Sequence, residues 1–184
     1  LRSLIDDFSL NLAAQWDMHR IFGDILPMIL IGYLVVGALP IISKQKSFAG
    51  YLNYTAHLSG NISLMFLVFF IPYILVVLHV SEFIGGKGLA VGWEEFVIRI
   101  LAEFIRCLSW AWSLILISKG KAPFYIALSL CQAFFIIGFT SYVINSDAEV
   151  NVYALNEAYL VANVASMILI SIVTGFWVRR WFEK

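Results

Sequence analysis

One short stretch of the chain, WEEFVIRILAEFIRC at residues 93–107, carries five charged side chains within an otherwise apolar segment. On a helix with 3.6 residues per turn, four of these charges fall within roughly 80° of one another, and Ser113 continues the same face. A helix with such a face is expected to contact protein or water rather than lipid. We call this face the polar stripe; it consists of Glu95, Arg99, Glu103, Arg106 and Ser113.

The polar stripe predicts one positive charge inside the membrane that has no partner on the same helix. Arg99 and Arg106 oppose a single carboxylate there, Glu103, and Arg106 lies roughly 10 Å deeper than Arg99. An unpaired arginine at the centre of a membrane helix costs about 2.5 kcal/mol or more, so Arg106 requires a partner or water. The candidates on other segments are the carboxylates of Asp24 and Glu157 and the amides of Gln132 and Asn163.

We therefore predict a polar cluster of Glu103, Arg106, Gln132 and Asn163 between the third, fourth and fifth apolar segments. Two roles remain open for it. A self-neutralising ladder would fix helix packing or a subunit contact, whereas a water-filled path would conduct a solute. A proton relay is less favoured, because arginine does not titrate near neutral pH.

The sequence does not contain the common signatures of catalysis or of cofactor binding. There is no HExxH, nucleophile elbow, phosphate-binding loop or dinucleotide fingerprint. Cys107 and Cys131 fall in apolar segments without metal-ligand spacing. We predict that the protein is not an enzyme and has no catalytic residue, no cofactor and no metal. Twelve basic and twelve acidic residues cancel, so the net charge gives no indication of a nucleic-acid partner, and we expect none.

The composition is that of a membrane protein. Of the 184 residues, 61% are hydrophobic and only 13% are charged, against about half and a quarter in soluble domains. Five apolar segments each approach the roughly 20 residues needed to cross a bilayer. We predict an all-α polytopic bundle of about five transmembrane helices, forming one domain over 23–184, with spans at 25–42, 60–80, 95–118, 122–144 and 155–178.

Local signals refine the ends and the course of these segments. Gly120 and Pro123 predict a tight turn between the third and fourth helices. Pro27, Pro40 and Pro72 predict bends in or near the first two. Residues 1–22 are predicted to form an amphipathic surface helix, lying on the membrane or packed on a domain upstream.

Basic residues between the segments predict the orientation. With five spans, three basic residues lie on one side of the membrane, namely Arg2, Arg20 and Lys87. The other side receives seven, namely Lys44, Lys46, Lys119, Lys121, Arg179, Arg180 and Lys184. The N-terminus is therefore predicted outside and the C-terminus in the cytoplasm, with the chain in a plasma or bacterial inner membrane.

These observations favour an integral membrane subunit of an oligomer or of a larger assembly. Its polar stripe indicates a transport or channel-type component. The alternative is a structural or sensory subunit that conducts nothing and contacts a cytoplasmic partner through its basic face. The small residues Ala158, Ala162 and Ser166 recur at a spacing of four, which is typical of close helix contact with another segment or another subunit.

Overall fold

The computed structural model describes residues 2–89, 92–146 and 150–182, and the regular elements in these ranges are all helical. A π-helical segment, Tyr33–Ala38, joins the first two helices. The helices are α1 (Arg2–Gly32), α2 (Leu39–Ser43), α3 (Phe48–Leu89), α4 (Trp93–Ser118), α5 (Ala122–Asn145) and α6 (Val152–Phe182).

Five helical stretches in the described ranges are long and apolar enough to cross a membrane. They are Leu10–Ser43, Phe48–Ser81, Trp93–Ser118, Ala122–Asn145 and Val152–Phe182. The all-helical architecture and the five apolar helices predicted from the sequence are thus confirmed. By length and composition, the protein is one suited to a membrane.

The predicted spans 25–42 and 60–80 imply a long loop at 43–59, and this expectation is wrong, because α3 already begins at Phe48. The residues that start α3 are polar enough to lie outside an apolar window, yet Tyr51, Thr55 and Leu58 are buried on one helical face. The Tyr51 hydroxyl donates to the Trp112 carbonyl of α4 at 2.8 Å. Packing on α4 therefore stabilises a helical turn that hydropathy alone does not reveal. The same helix also runs past the predicted end at residue 80, to Leu89.

A separate surface helix over 1–22 is not what the structure contains, because α1 continues without a break from Arg2 to Gly32. His19 and Gly23 are buried where α1 meets its neighbours. The Tyr73 hydroxyl of α3 donates to the Phe22 carbonyl, which ties this part of α1 into the bundle. Leu1, Lys184 and the middle of the predicted loop at 145–154 lie outside the described residues.

A π turn directly precedes α2 and its Pro40, the position at which a bend is predicted. Proline has no N–H, and its ring clashes with the carbonyl four residues earlier in an ordinary helix. The preceding turn is widened, so that the Leu39 N–H donates to the Leu34 carbonyl, five residues back. Leu34 and Ala38 of this segment are buried in the core.

The centre of the bundle is α4, which packs mainly on α6 and also contacts α1, α2 and α3. In the apolar stretch that could cross a membrane, 56% of α4 is buried, against only 11% of α5. Helix α5 packs chiefly on α6. Between α4 and α5, Gly120 adopts a left-handed φ of 69° in the tight turn that the sequence predicts. The polar stripe thus lies on the helix with the largest buried fraction among the five potential spans.

Candidate functional site

The polar stripe of α4 faces α1 and α6. Arg99 is 2% exposed and Glu103 is fully buried, while the Arg106 side chain is 20% exposed. Because a buried charge without a partner is costly, these three groups must be paired inside the bundle.

Their pairing forms a compact charge cluster, which we define as Asp24, Arg99, Glu103 and Arg106. The two oxygens of Glu103 are shared between the arginines, with Oε1 at 3.0 Å from Arg99 Nη2 and Oε2 at 2.6 Å from Arg106 Nη2. The second contact is a close ion pair, and Glu103 Oε2 makes no hydrogen bond with the described residues. Asp24 Oδ1 accepts a hydrogen bond from Arg106 Nη2 at 2.8 Å and lies 3.8 Å from Arg99 Nη2.

Two carboxylates therefore face two guanidinium groups. Asp24, one of the two candidate carboxylates, pairs with the positive charge that Glu103 alone does not balance. The other, Glu157, is on the exposed face of α6. The cluster as a whole carries no net charge.

Tyr159 of α6 completes the cluster and was not identified from the sequence. Its hydroxyl donates to Glu103 Oε1 at 2.8 Å and accepts from Arg106 Nη1 at 3.0 Å. Its ring lies under Arg99, whose Cζ is 3.9 Å from the ring centroid. Trp16 contacts the same guanidinium at 5.3 Å, so Arg99 has favourable cation–π contacts as well as its ion pairs.

Gly23 allows α1 to approach Arg99 closely. A Cβ atom at this position would lie 2.9 Å from both Cγ and Nε of Arg99, closer than such contacts occur. The absence of a side chain lets the arginine pass over the α1 backbone and places the neighbouring Asp24 within reach of both guanidinium groups. In the sequence, the glycine directly before Asp24 is the feature that could have indicated this close approach.

The amides Gln132 and Asn163 do not join the charge cluster as predicted. Gln132 Nε2 donates to Asn163 Oδ1 at 2.8 Å, and Asn163 Nδ2 donates to the Tyr159 carbonyl at 2.8 Å. The Gln132–Asn163 hydrogen bond connects α5 to α6 and does not reach the charges. The predicted group of four is thus two separate sites, linked only through Tyr159.

The two ends of the polar stripe also bond elsewhere. The Glu95 carboxylate turns back against Gly92, at the positive first turn of α4, instead of extending toward Arg99. The Glu95 carbonyl accepts from Asn156 Nδ2 at 3.0 Å. At the other end, the buried Ser113 hydroxyl donates to the Trp110 carbonyl of its own helix at 2.9 Å. Neither end presents an unused charge to the centre of the bundle.

The chemistry open to this site follows from its composition. A neutral set of paired arginines and carboxylates can hold helices together, and arginine is a poor proton carrier. In the described ranges, no group of three or more His, Cys, Asp and Glu side chains is arranged to hold a metal ion. One edge of the cluster, formed by Asp24 and Arg106, is 24% and 20% exposed.

The site thus belongs to an all-helical chain with five potential membrane spans and a charge-balanced centre. Comparison of the chain with protein-family models, with curated proteins and with solved structures found no match.

Proposed function

We propose that the chain is a non-conducting integral membrane subunit, whose charge cluster holds α1, α4 and α6 in one fixed arrangement. The observation that supports this is charge balance: each arginine of the cluster is within 4 Å of a carboxylate of the same chain. A solute would have to compete with these pairs, and no charge is left over to attract it.

The energetics favour a structural role for such a group. Removing one partner of a buried ion pair costs about 3–5 kcal/mol, because the remaining charge is left uncompensated in a poor solvent. Any displacement of α1 from α4 would separate Asp24 from Arg106 and incur part of this cost. The cluster therefore penalises alternative helix arrangements more strongly than apolar contacts would.

The test is the variant Arg106→Leu, with the exposed Glu157→Gln as a matched control. Thermal unfolding in detergent and solute flux in proteoliposomes are measured for both. We expect Arg106→Leu to lower the unfolding temperature and to disturb assembly, while the control resembles the unaltered protein. Loss of a measurable flux in Arg106→Leu, with assembly and unfolding temperature unchanged, would contradict a non-conducting role.

That outcome would support the second candidate, a transport or channel-type component. One observation favours it: Asp24 and Arg106 are partly exposed, so a solute could reach one edge of the charge cluster. In this alternative the ion pair would open during transport, and the variant Asp24→Asn would change the flux without unfolding the protein.

The same proposal includes an orientation, with the N-terminus outside and the C-terminus in the cytoplasm of a plasma or bacterial inner membrane. It is supported by the excess of Lys and Arg on one side. Cysteines placed singly at Ser47 and Ser146, in a Cys131→Ser background, test it with an impermeant maleimide. Labelling of intact cells is expected at position 146 and not at 47; the reverse would invert the orientation.

We also propose that the subunit assembles with copies of itself or with other membrane subunits through α5. The small residues of α6 are already used within the chain, since Ala158, Ala162 and Ser166 are buried. Of the five potential spans, α5 has the smallest buried fraction. Native mass in detergent reports the stoichiometry, and Phe134→Ala on exposed α5 is expected to lower it; a monomer in the unaltered protein would contradict this proposal.

A further inference from the structure

A second polar site lies at the far end of α4, roughly 24 Å along the helix from Glu103. It is an open cavity of about 640 Å³, within the size range of small-ligand sites. We call it the basic pocket, and it is lined by Ser43, Lys44, Gln45, Lys46, Lys119, Lys121, Trp181 and Phe182.

The charge of this pocket is unbalanced. Four of its eight lining residues are lysines and none is acidic. Lys119 Nζ donates to the Gln45 carbonyl at 3.1 Å and lies 5.2 Å from the Phe182 ring, and Lys121 lies 5.8 Å from the Trp181 ring. Lys44 and Lys46 are exposed. The contrast with the charge cluster is that no acidic side chain is found among the described residues that line the pocket.

Helix capping explains only half of the lysines. Lys44 and Lys119 directly follow the ends of α2 and α4, where the helix dipole favours a positive charge. Lys121 instead precedes the first turn of α5, where the dipole disfavours a cation and attracts an anion. Lys46 belongs to the short connection before α3. An anion in the pocket would be attracted by both lysines and by the start of α5.

The depth of the pocket indicates the source of the anion. Three potential spans end or begin beside it, at Ser43, Ser118 and Ala122. Trp181 and Phe182 line its wall, and aromatic and basic side chains at the ends of spans are typical of the headgroup region of a bilayer. A lipid phosphate is the anion held at that level by its own acyl chains.

We propose that the basic pocket binds the phosphate headgroup of an anionic phospholipid, with Lys46 and Lys121 contacting the phosphate oxygens. The acyl chains would lie along the apolar surface next to the pocket, where Ile41 and Phe124 are exposed. This site is independent of the non-conducting role proposed above, since it shares no residue with the charge cluster.

The experiment measures the Kd of purified protein for phosphatidylglycerol and for phosphatidylcholine by native mass spectrometry. The pocket variant is Lys46→Gln/Lys121→Gln, and the control, Arg20→Gln/Arg180→Gln, removes the same charge elsewhere. We expect the pocket variant to weaken phosphatidylglycerol binding about thirtyfold, from the loss of two lysines near a phosphate. The control is expected to change it less than about twofold. If the pocket variant does not fold, Lys46→Gln alone is expected to weaken binding about fivefold.

Several outcomes would overturn the proposal. Equal weakening by the control would show attraction to overall charge instead of a site, and equal binding of phosphatidylcholine would exclude selection for an anion. Glycerol 3-phosphate that binds as tightly as phosphatidylglycerol would identify a soluble phosphate as the ligand. Lysine-dependent binding of an oligoglutamate peptide, without lipid binding, would identify an acidic protein segment instead.

Discussion

The charge cluster and the basic pocket use the same kinds of side chain in opposite ways. In the cluster, two arginines meet two carboxylates between α1, α4 and α6, and the site is neutral. In the pocket, four lysines line an open cavity, and none of the other lining residues in the described part of the chain is acidic. This difference is the reason for proposing a structural role for the paired, buried charges and a binding role for the lysines of the open pocket.

The largest effect expected from this comparison is on Glu103, which contacts both arginines. Glu103→Gln leaves Asp24 to balance two guanidinium groups, and we expect a loss of about 3–5 kcal/mol in the free energy of unfolding. Chemical unfolding in mixed micelles, followed by circular dichroism, measures it. Glu157→Gln serves as the isosteric control, and a variant at Glu103 that unfolds like this control would remove the basis for a structural cluster.

A smaller effect is expected where α1 approaches Arg99. Gly23→Ala places a Cβ 2.9 Å from the arginine side chain, so either Arg99 or α1 must move. We expect a loss of about 1–3 kcal/mol, typical of overpacking in a close-packed interior. Gly32→Ala is the matched control, because a Cβ there meets no atom within 4 Å. Similar unfolding of the two variants would mean that α1 is not held tightly against Arg99.

Tyr159→Phe separates the hydroxyl of this residue from its ring. The ring still stacks on Arg99, but Glu103 Oε1 and Arg106 Nη1 each lose a hydrogen bond. We expect a loss of about 1–3 kcal/mol, mostly because buried polar atoms lose their partner. Tyr142→Phe, on an exposed tyrosine of α5, is the control. A combined Tyr159→Phe/Glu103→Gln variant that is additive would show that the two groups do not cooperate.

The smallest effect on folding is expected in the basic pocket. Lys46→Gln should change the free energy of unfolding by less than about 0.5 kcal/mol, because surface substitutions away from packed features rarely exceed this. The measurement is the same denaturation in micelles free of anionic lipid. A large destabilisation there would mean that the pocket, like the charge cluster, is a structural device, and the contrast between the two sites would fail.

The helical architecture was predictable because it depends on properties that the chain carries locally. Apolar length identifies the five spans, and Gly120 identifies the turn between α4 and α5. The early start of α3 was not predictable, since it depends on Tyr51 reaching the Trp112 carbonyl of a helix far along the chain. The continuity of α1 past residue 22 likewise depends on its packing against the bundle.

The candidate site was predictable only in part, for a related reason. The helical period placed Arg99, Glu103 and Arg106 on one face, and charge counting required a partner for Arg106, with Asp24 among the candidates. Choosing Asp24 over Glu157 needed the crossing of α1 at Gly23. The amides Gln132 and Asn163 were placed with the charges on depth alone, but depth does not determine which way a side chain faces.

The π turn before Pro40 bears on the basic pocket through the geometry of the chain. Such a turn is an α-helix that has accommodated one additional residue. If the same residues were wound as an ordinary α-helix, the additional residue would rotate everything beyond it by roughly 100°. Ile42, which is buried, would then turn away from the core, and Lys44 would leave the pocket wall. The wider turn therefore keeps Lys44 on the pocket wall, although it lies about two turns earlier in the chain.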